Sequence, residues 1–157
     1  MPIIKTINRI QETAKRLWLL YVGLTVAEAL ALWAAGMTLY DAVNHSLTTM
    51  ATGGFSTKNA SIMHYSSPLI QYIIIVFMFL AGTSFTLTYF GLKRNFQKVI
   101  KNEEFVVYTL FTVAITIIVT LTLLIVKDYG FERSFRDSLF QVVSIITTTG
   151  FVSADYT

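Results

Sequence analysis

Three long apolar runs constrain this chain more than any other feature of its 157 residues. They extend over Leu17 to Tyr40, with Glu28 as the single charge, and over Ile70 to Gly91 and Phe105 to Val126, with no charge at all. The runs hold 24, 22 and 22 residues, and about 20 helical residues cross the ~30 Å apolar core of a bilayer. The sequence therefore predicts three transmembrane helices.

The composition agrees with a membrane protein. Only 13% of the residues are charged, about half the ~25% that is usual for a soluble domain. A soluble chain of this length could not cover its core with so few charges, which excludes a soluble enzyme, a disordered chain and a nucleic-acid-binding module. The sequence has no phosphate loop, no zinc-protease motif and no cysteine, so we expect a protein that is not an enzyme and has no cofactor in this chain.

The basic residues predict the orientation of the chain. Of the 12 Lys and Arg, eight lie before the first run or between the second and third runs. The other four are Lys58, Lys127, Arg133 and Arg136. Because Lys and Arg favour the cytoplasmic side, we expect a cytoplasmic N-terminal segment (1–16) and a cytoplasmic loop (93–104) in a multi-pass protein of the cell (inner) membrane.

The chain contains an internal repeat with an offset of 96 residues. Asp41 aligns with Asp137, and the four-residue motifs Thr52–Phe55 and Thr148–Phe151 align without a gap. Both motifs read Thr-x-Gly-Phe. In each copy the motif follows one of the long apolar runs, so the repeat includes the membrane spans.

A short, moderately apolar segment of about 11 residues precedes each motif: Asp41 to Ala51, and Arg136 to Ile146. These segments are too short to cross a bilayer, and composition alone leaves open whether they re-enter the membrane or form external loops. Two copies in the same register favour re-entrant helices. The sequence then predicts a complete unit of span, pore helix, motif and span over residues 17–92, and a partial unit over residues 105–157.

The residue types in each copy suit a path for cations. We expect Asp41 and Asp137 to cap the N-termini of the short helices, whose partly negative C-terminal ends then point into the membrane. Glycine after such an end lets successive carbonyls face one direction, and rings of carbonyls replace the hydration shell of potassium in channel filters. An ordinary turn is the alternative for either motif taken singly.

Two stretches of the sequence resemble a known family. Leu47–Ile62, with Pro68–Gly82 behind it, closely resembles the TrkH branch of the Trk/Ktr/HKT potassium transporters, and Ser144–Phe151 resembles the next filter segment of the same proteins. The resemblance implies an all-α membrane protein built from span–pore helix–filter–span repeats of the potassium-channel-like type. The family has four such repeats, so this chain is expected to be incomplete and to hold the second repeat and the first part of the third.

The resemblance also implies which residues bind the ion. The expected filter residues are Thr52, Gly53, Gly54, Phe55, Thr148, Thr149, Gly150 and Phe151, with potassium at Thr52, Gly53, Thr148 and Thr149. The two phenylalanines are expected to pack behind the filter backbone. In plant relatives a serine at a filter glycine goes with sodium transport, so glycine at positions 54 and 150 implies potassium.

Partners follow from the same resemblance. They are the remaining repeats of the transporter, a cytosolic nucleotide-binding regulatory subunit of the TrkA/KtrA type, the lipid bilayer and a second copy in a homodimer of the full protein, with no nucleic acid. Potassium is expected as the transported ion. The alternatives are a non-conducting membrane fragment or assembly subunit that needs the other repeats, and a sodium-permeable relative.

Five further residues have competing interpretations. Glu28, within the first run, is either functional or a hydrogen-bonding partner of a neighbouring helix. His45 and His64 are 19 residues apart with no third ligand, so helix packing and loop solvation are favoured over a metal pair. Lys58 either gates incoming cations or is solvated at the mouth, and Gly82 either bends the second span or permits a close helix contact.

Overall fold

The computed structural model describes residues 2–126 and 130–155, apart from the side chains of residues 2–10, 85 and 92. Lys127, and with it residues 127–129 and 156–157 of the predicted partial unit, lie outside the described residues. Within the described ranges the chain is helical and has no strand. The helices are α1 (Pro2–Ala34), α2 (Leu39–Met50), α3 (Pro68–Ala81), α4 (Phe85–Leu92), α5 (Phe96–Ile100), α6 (Glu103–Val126) and α7 (Phe131–Ile146), with a 3₁₀ turn (Ser61–His64) after α2.

The first helix ends earlier than the first apolar run. α1 stops at Ala34, and Gly36 turns the chain with a φ of +106°, which glycine adopts without a steric penalty. Leu39 and Tyr40, the last residues of the run, already belong to α2. The apolar pattern did not reveal this boundary because it continues through the turn.

The prediction that Asp41 and Asp137 cap the short helices is wrong. Thr38 is the N-cap of α2, and its hydroxyl accepts a hydrogen bond from the Asp41 amide at 3.1 Å. α7 begins at Phe131, so Asp137 lies in its second turn. Both carboxylates are buried and paired with basic side chains instead.

The second apolar run forms two helices, α3 and α4, with a break at residues 82–84. The Thr83 hydroxyl donates to the Leu80 carbonyl at 2.7 Å, which satisfies an oxygen at the helix end. A Cβ on Gly82 would lie 2.6 Å from Thr147 Cγ2 and 2.8 Å from the Tyr108 hydroxyl. Gly82 therefore follows the end of α3 and also allows a close approach to the neighbouring elements, so both interpretations of this glycine apply.

Among the residues that the structure describes, two helices are long and apolar enough to cross a membrane: Gln11–Ala34 within α1, and α6. α3 is apolar but shorter, with 14 residues. α6 packs mainly against α7, and its buried face carries a threonine at every fourth position, Thr112, Thr116 and Thr120. Each of these three hydroxyls donates to the carbonyl four residues earlier, so none of the three needs a partner from α7.

The apolar core lies where α1, α2, α3 and α7 meet. Its fully buried members are Leu32, Ala42, Ile62, Ile74, Met78, Phe140 and Phe151. The short helices α2 and α7 both contribute to this core, and the second Thr-x-Gly-Phe motif enters it through Phe151.

Candidate ion-binding site between the two repeats

The two motifs have the same backbone conformation. Thr52 and Thr148 are left-handed, with φ of 49° and 58°, and Gly54 and Gly150 are left-handed, with φ of 63° and 84°. Left-handed backbone is uncommon for threonine. Its recurrence at positions 96 residues apart shows that the repeat in sequence is also a repeat in structure.

The amides of each motif turn back to the helix before it. Gly53 N–H donates to the Thr48 carbonyl at 2.8 Å, and Thr149 N–H donates to the equivalent Ser144 carbonyl at 2.9 Å. In a trans peptide the N–H and the preceding C=O point in opposite directions. The carbonyls before these amides therefore point away from α2 and α7.

Those outward carbonyls belong to predicted ion-binding residues. They are the carbonyls of Thr52 and Thr148, and that of Thr149 joins them because Gly150 N–H also donates to the Ser144 carbonyl, at 3.2 Å. The C-terminal ends of α2 and α7 lie directly behind these peptides. The partial negative charge of a helix end favours a cation in front of it.

The phenylalanine carbonyls have a different role. The Thr48 hydroxyl donates to the Phe55 carbonyl at 2.8 Å, and the Ser144 hydroxyl donates to the Phe151 carbonyl at the same distance. These bonds close each motif into a loop on its own helix. The threonine carbonyls are thus the oxygens that the hydrogen bonds direct outward.

The two phenylalanine rings have opposite environments. Phe151 is fully buried, with its ring centroid 5.9 Å from that of His45, and it packs behind the backbone as expected. Phe55 is 77% exposed, although its Cδ2 would lie 3.4 Å from a Cβ on Gly53 of the same motif, so the packing of this ring behind the filter stays a prediction. The physical cause is that α2 covers Phe151, whereas no other short helix among the described residues takes the equivalent position over Phe55.

The two motifs meet at Gly54. A Cβ on this residue would lie 1.9 Å from the carbonyl oxygen of Thr149 and 3.1 Å from the carbonyl carbon of Gly150. A Cβ on Gly150 would meet no atom within 4 Å. Position 54 therefore requires glycine because a Cβ would collide with the second motif and because its φ is left-handed. Position 150 requires glycine only because its φ is left-handed.

The residues after the first motif return to the start of α2. Lys58 Nζ lies 3.3 Å from Asp41 Oδ2, and the Thr57 hydroxyl donates to Asp41 Oδ1 at 2.5 Å. The hydrogen bond from Thr57 holds the pKa of Asp41 well below its usual range. Asp41 is therefore a carboxylate, and Lys58 is its counter-ion instead of an unpaired charge at the mouth.

His45 joins the same region. Its Nδ1 lies 2.7 Å from the Asp41 carbonyl oxygen, to which it must donate, and its Nε2 lies 2.9 Å from the Ser56 hydroxyl, from which it accepts. Burial lowers the pKa of His45, which agrees with a neutral ring. His64 contacts Tyr65 instead, and the described part of the chain holds no group of three or more acidic, His or Cys residues placed to bind a metal.

The negative charge of Asp137, in the second repeat, is paired with two arginines of the same helix, α7. Arg133 Nε lies 3.6 Å from Asp137 Oδ2, and Arg136 Nε lies 3.8 Å from Asp137 Oδ1. Burial raises the pKa of Asp137 above its ordinary value. These pairs were not predicted from the sequence, although the i,i+4 spacing of Arg133 and Asp137 is a readable signal on a helix.

Glu28 faces the protein interior. It is fully buried, and neither carboxyl oxygen has a hydrogen-bond partner among the described residues. Thr49 of α2 is the polar side chain beside it. The carboxyl group thus faces a neighbouring helix, as the structural interpretation expected, but without a hydrogen bond.

Comparison with known proteins places the chain in a family. The family model described as TrkH, cation transport protein, matches residues 5–157. The Trk system potassium uptake protein TrkH of Salmonella typhimurium is 43% identical over 147 residues, which are 92% of this chain and 30% of that protein. The protein of the same name from Halomonas elongata is 40% identical over 153 residues, which are 97% of this chain and 32% of that protein.

A solved structure agrees with these matches. The crystal structure of the potassium transporter TrkH from Vibrio parahaemolyticus covers 93% of this chain with a TM-score of 0.87 and 39% identity, and 32% of that chain is covered. The present chain thus spans about a third of the length of the relatives it matches. The likeness confirms the predicted all-α membrane fold of potassium-channel-like repeats, and the chain belongs to the TrkH family of cation transport proteins.

Proposed function

We propose that this chain is part of a potassium uptake protein and supplies two of the segments that line its ion path. The observation that carries the proposal is the matched backbone of the two motifs, which directs the carbonyls of Thr52 and Thr148 away from α2 and α7. Such oxygens can replace the hydration shell of potassium. Its relatives are named potassium uptake proteins, which supports the choice of ion.

In this proposal the ion contacts backbone oxygens and no side-chain carboxylate. The contacting carbonyls are those of Thr52, Gly53, Thr148 and Thr149, while Gly54, Phe55, Gly150 and Phe151 maintain the shape of the two segments. Two segments cannot surround an ion, so the path needs the remaining repeats. A non-conducting assembly subunit would have no use for strained threonines at matched positions, which favours transport over that alternative.

The remaining partners belong to the same proposal. The full protein would be a homodimer in the cell (inner) membrane, with the N-terminus of this chain in the cytoplasm. The loop of residues 93–104 would then face a cytosolic nucleotide-binding regulatory subunit of the TrkA/KtrA type. No catalytic role, resident cofactor or nucleic-acid partner is part of this proposal.

Gly150→Ser is expected to raise sodium uptake relative to potassium uptake when the chain works with the remaining repeats. Left-handed backbone costs a residue with a side chain about 1–2 kcal/mol, so the backbone at position 150 relaxes from its φ of 84° and moves the adjacent Thr149 carbonyl. The serine side chain itself meets open space. Uptake of both ions, measured in parallel, gives the ratio.

Gly91→Ser is the matched control, because this glycine lies in α4 with no atom within 4 Å of an added Cβ. We expect it to leave the sodium-to-potassium ratio unchanged. An unchanged ratio in Gly150→Ser as well would count against the proposed filter. Gly54→Ser does not serve here, because its Cβ would collide with the Thr149 carbonyl.

A further inference from the structure

The residues that follow the two motifs are held in different ways. After the first motif, Ser56, Thr57 and Lys58 all bond to α2. The equivalent residues of the second repeat are, in order, Val152, Ser153 and Ala154. Valine and alanine cannot form the same bonds, and the Ser153 hydroxyl has no hydrogen-bond partner among the residues that the structure describes. The repeat is therefore asymmetric at its outer end.

We call the first arrangement the outer anchor and define it as Asp41, His45, Ser56, Thr57 and Lys58. The Lys58 amide donates to the Ser56 hydroxyl oxygen at 3.1 Å, so the backbone and the side chain of Lys58 are both held. The Asp41 side chain is 5% exposed and that of Lys58 is 33% exposed. This partial shielding from water makes the ion pair stronger than a surface pair.

The second motif depends on the first repeat for its outer contact. Val152 N–H donates to the Ser61 hydroxyl at 3.3 Å, and Met63 N–H donates to the Val152 carbonyl at 3.0 Å. The 3₁₀ turn that makes these bonds is joined to the outer anchor, because Ser61 N–H donates to the Lys58 carbonyl at 3.0 Å. A continuous set of bonds thus runs from Asp41 to the residue after the second motif.

His45 provides a second connection between the repeats. It accepts from Ser56 after the first motif, and its ring lies against Phe151, the last residue of the second motif. Both connections start from the first two turns of α2. The outer ends of the two motifs are therefore positioned from one place in the first repeat.

We propose that Lys58 and Asp41 are a positioning pair for the ion path. The pair fixes the outer end of the first motif and, through the 3₁₀ turn, that of the second, and Lys58 is not an electrostatic barrier to entering cations. This inference rests on the proposed function. An ammonium group 3.3 Å from a buried carboxylate presents a compensated charge, whose field at the path is weaker than that of a lone lysine.

The test measures potassium and sodium uptake by the chain produced together with the remaining repeats. Lys58→Met keeps most of the aliphatic stem and removes the charge. We expect the maximal rate of potassium uptake to fall about tenfold, equivalent to ~1.4 kcal/mol, and the sodium-to-potassium ratio to rise. Lys58→Arg retains the pair and is expected to stay near the wild type. Lys15→Met, an equal loss of charge at an exposed position of α1, is the matched control and is expected to change neither quantity.

A barrier role for Lys58 predicts the opposite result. Lys58→Met would then lower the KM for potassium and leave the ratio unchanged, and that result overturns the positioning proposal. The positioning proposal is equally overturned if Lys58→Met retains the wild-type rate of potassium uptake and the wild-type sodium-to-potassium ratio. Failure of Lys58→Arg to retain activity would also contradict it, because arginine can form the same ion pair.

A second measurement does not depend on transport. Thermal unfolding of the purified chain is compared for Asp41→Asn, Lys58→Met and the double variant, and we expect the two single effects to be non-additive because the residues are in contact. Additive effects on thermal unfolding would contradict the proposed interaction between Asp41 and Lys58. If the wild type moves no potassium while the single and double variants show non-additive effects on unfolding, the proposed function fails and the outer anchor is retained.

Discussion

Gly54→Ala is expected to abolish potassium uptake, whereas Gly150→Ala is expected to reduce it only in part. At position 54 the new Cβ would lie 1.9 Å from the Thr149 carbonyl oxygen, and a backbone atom cannot move aside as the end of a flexible side chain can. One motif must shift against the other, which separates the proposed ion-contacting carbonyls. At position 150 the added Cβ meets open space, so only the left-handed strain of about 1–2 kcal/mol remains.

The measurement is the initial rate of potassium uptake by each variant in the assembled transporter, corrected for the amount of protein in the membrane. Gly91→Ala, at a helical glycine with open space around it, controls for the loss of a glycine as such and is expected to retain the wild-type rate. Equal rates for Gly54→Ala and Gly150→Ala would mean that the two motifs do not meet at Gly54.

Phe151→Ala is expected to destabilise the chain by about 3–5 kcal/mol, the usual cost of truncating a buried phenylalanine. The ring is fully buried in the core and lies against His45, and its removal leaves a cavity between the two repeats. Phe55→Ala removes the same side chain from the equivalent position, but that ring is 77% exposed. We expect Phe55→Ala to change stability by less than about 0.5 kcal/mol.

Thermal unfolding of the purified chain in detergent gives both values under one set of conditions. The pair of variants is informative because residue type, repeat position and carbonyl hydrogen bond are the same at both sites. A similar loss for both variants would show that Phe55 is also covered in the isolated chain. A small loss for both would contradict the burial of Phe151.

The internal repeat was sufficient to predict where the two motifs lie and which positions need glycine. Gly54 and Gly150 align at the offset of 96 residues, and both are left-handed in the structure. The left-handed threonines were not predicted, because threonine rarely adopts this conformation and the hydrogen bonds that impose it come from α2 and α7. Local pattern identified the motifs, and tertiary contacts determined their detailed shape.

Helix boundaries were less predictable for a related reason. No charged residue marks the turn at Gly36 or the break at Gly82, so each run reads as one continuous span when only charges are counted. The break at Gly82 is accompanied by Tyr108 and Thr147, which are distant in sequence. A pattern within one segment has no access to such neighbours.

The roles of the two aspartates illustrate the same limit. Asp41 is paired with Lys58, which lies 17 residues away and is brought close only by the turn of the first motif. Asp137 is paired within its own helix at i,i+4 spacing, which the sequence does display. The opposite exposure of Phe55 and Phe151 was not predictable at all, because it depends on which helix packs beside each ring and not on the ring itself.

The proposal that the two Thr-x-Gly-Phe motifs line a path for potassium is tested by growth at limiting potassium. The bacterium lacks its own potassium uptake systems and produces this chain together with the remaining repeats. We predict growth with the wild-type chain, and none with the Gly54→Ala chain present in the membrane at the same level. Absence of growth with an inserted wild-type chain, or equal growth with Gly54→Ala, would contradict the proposal.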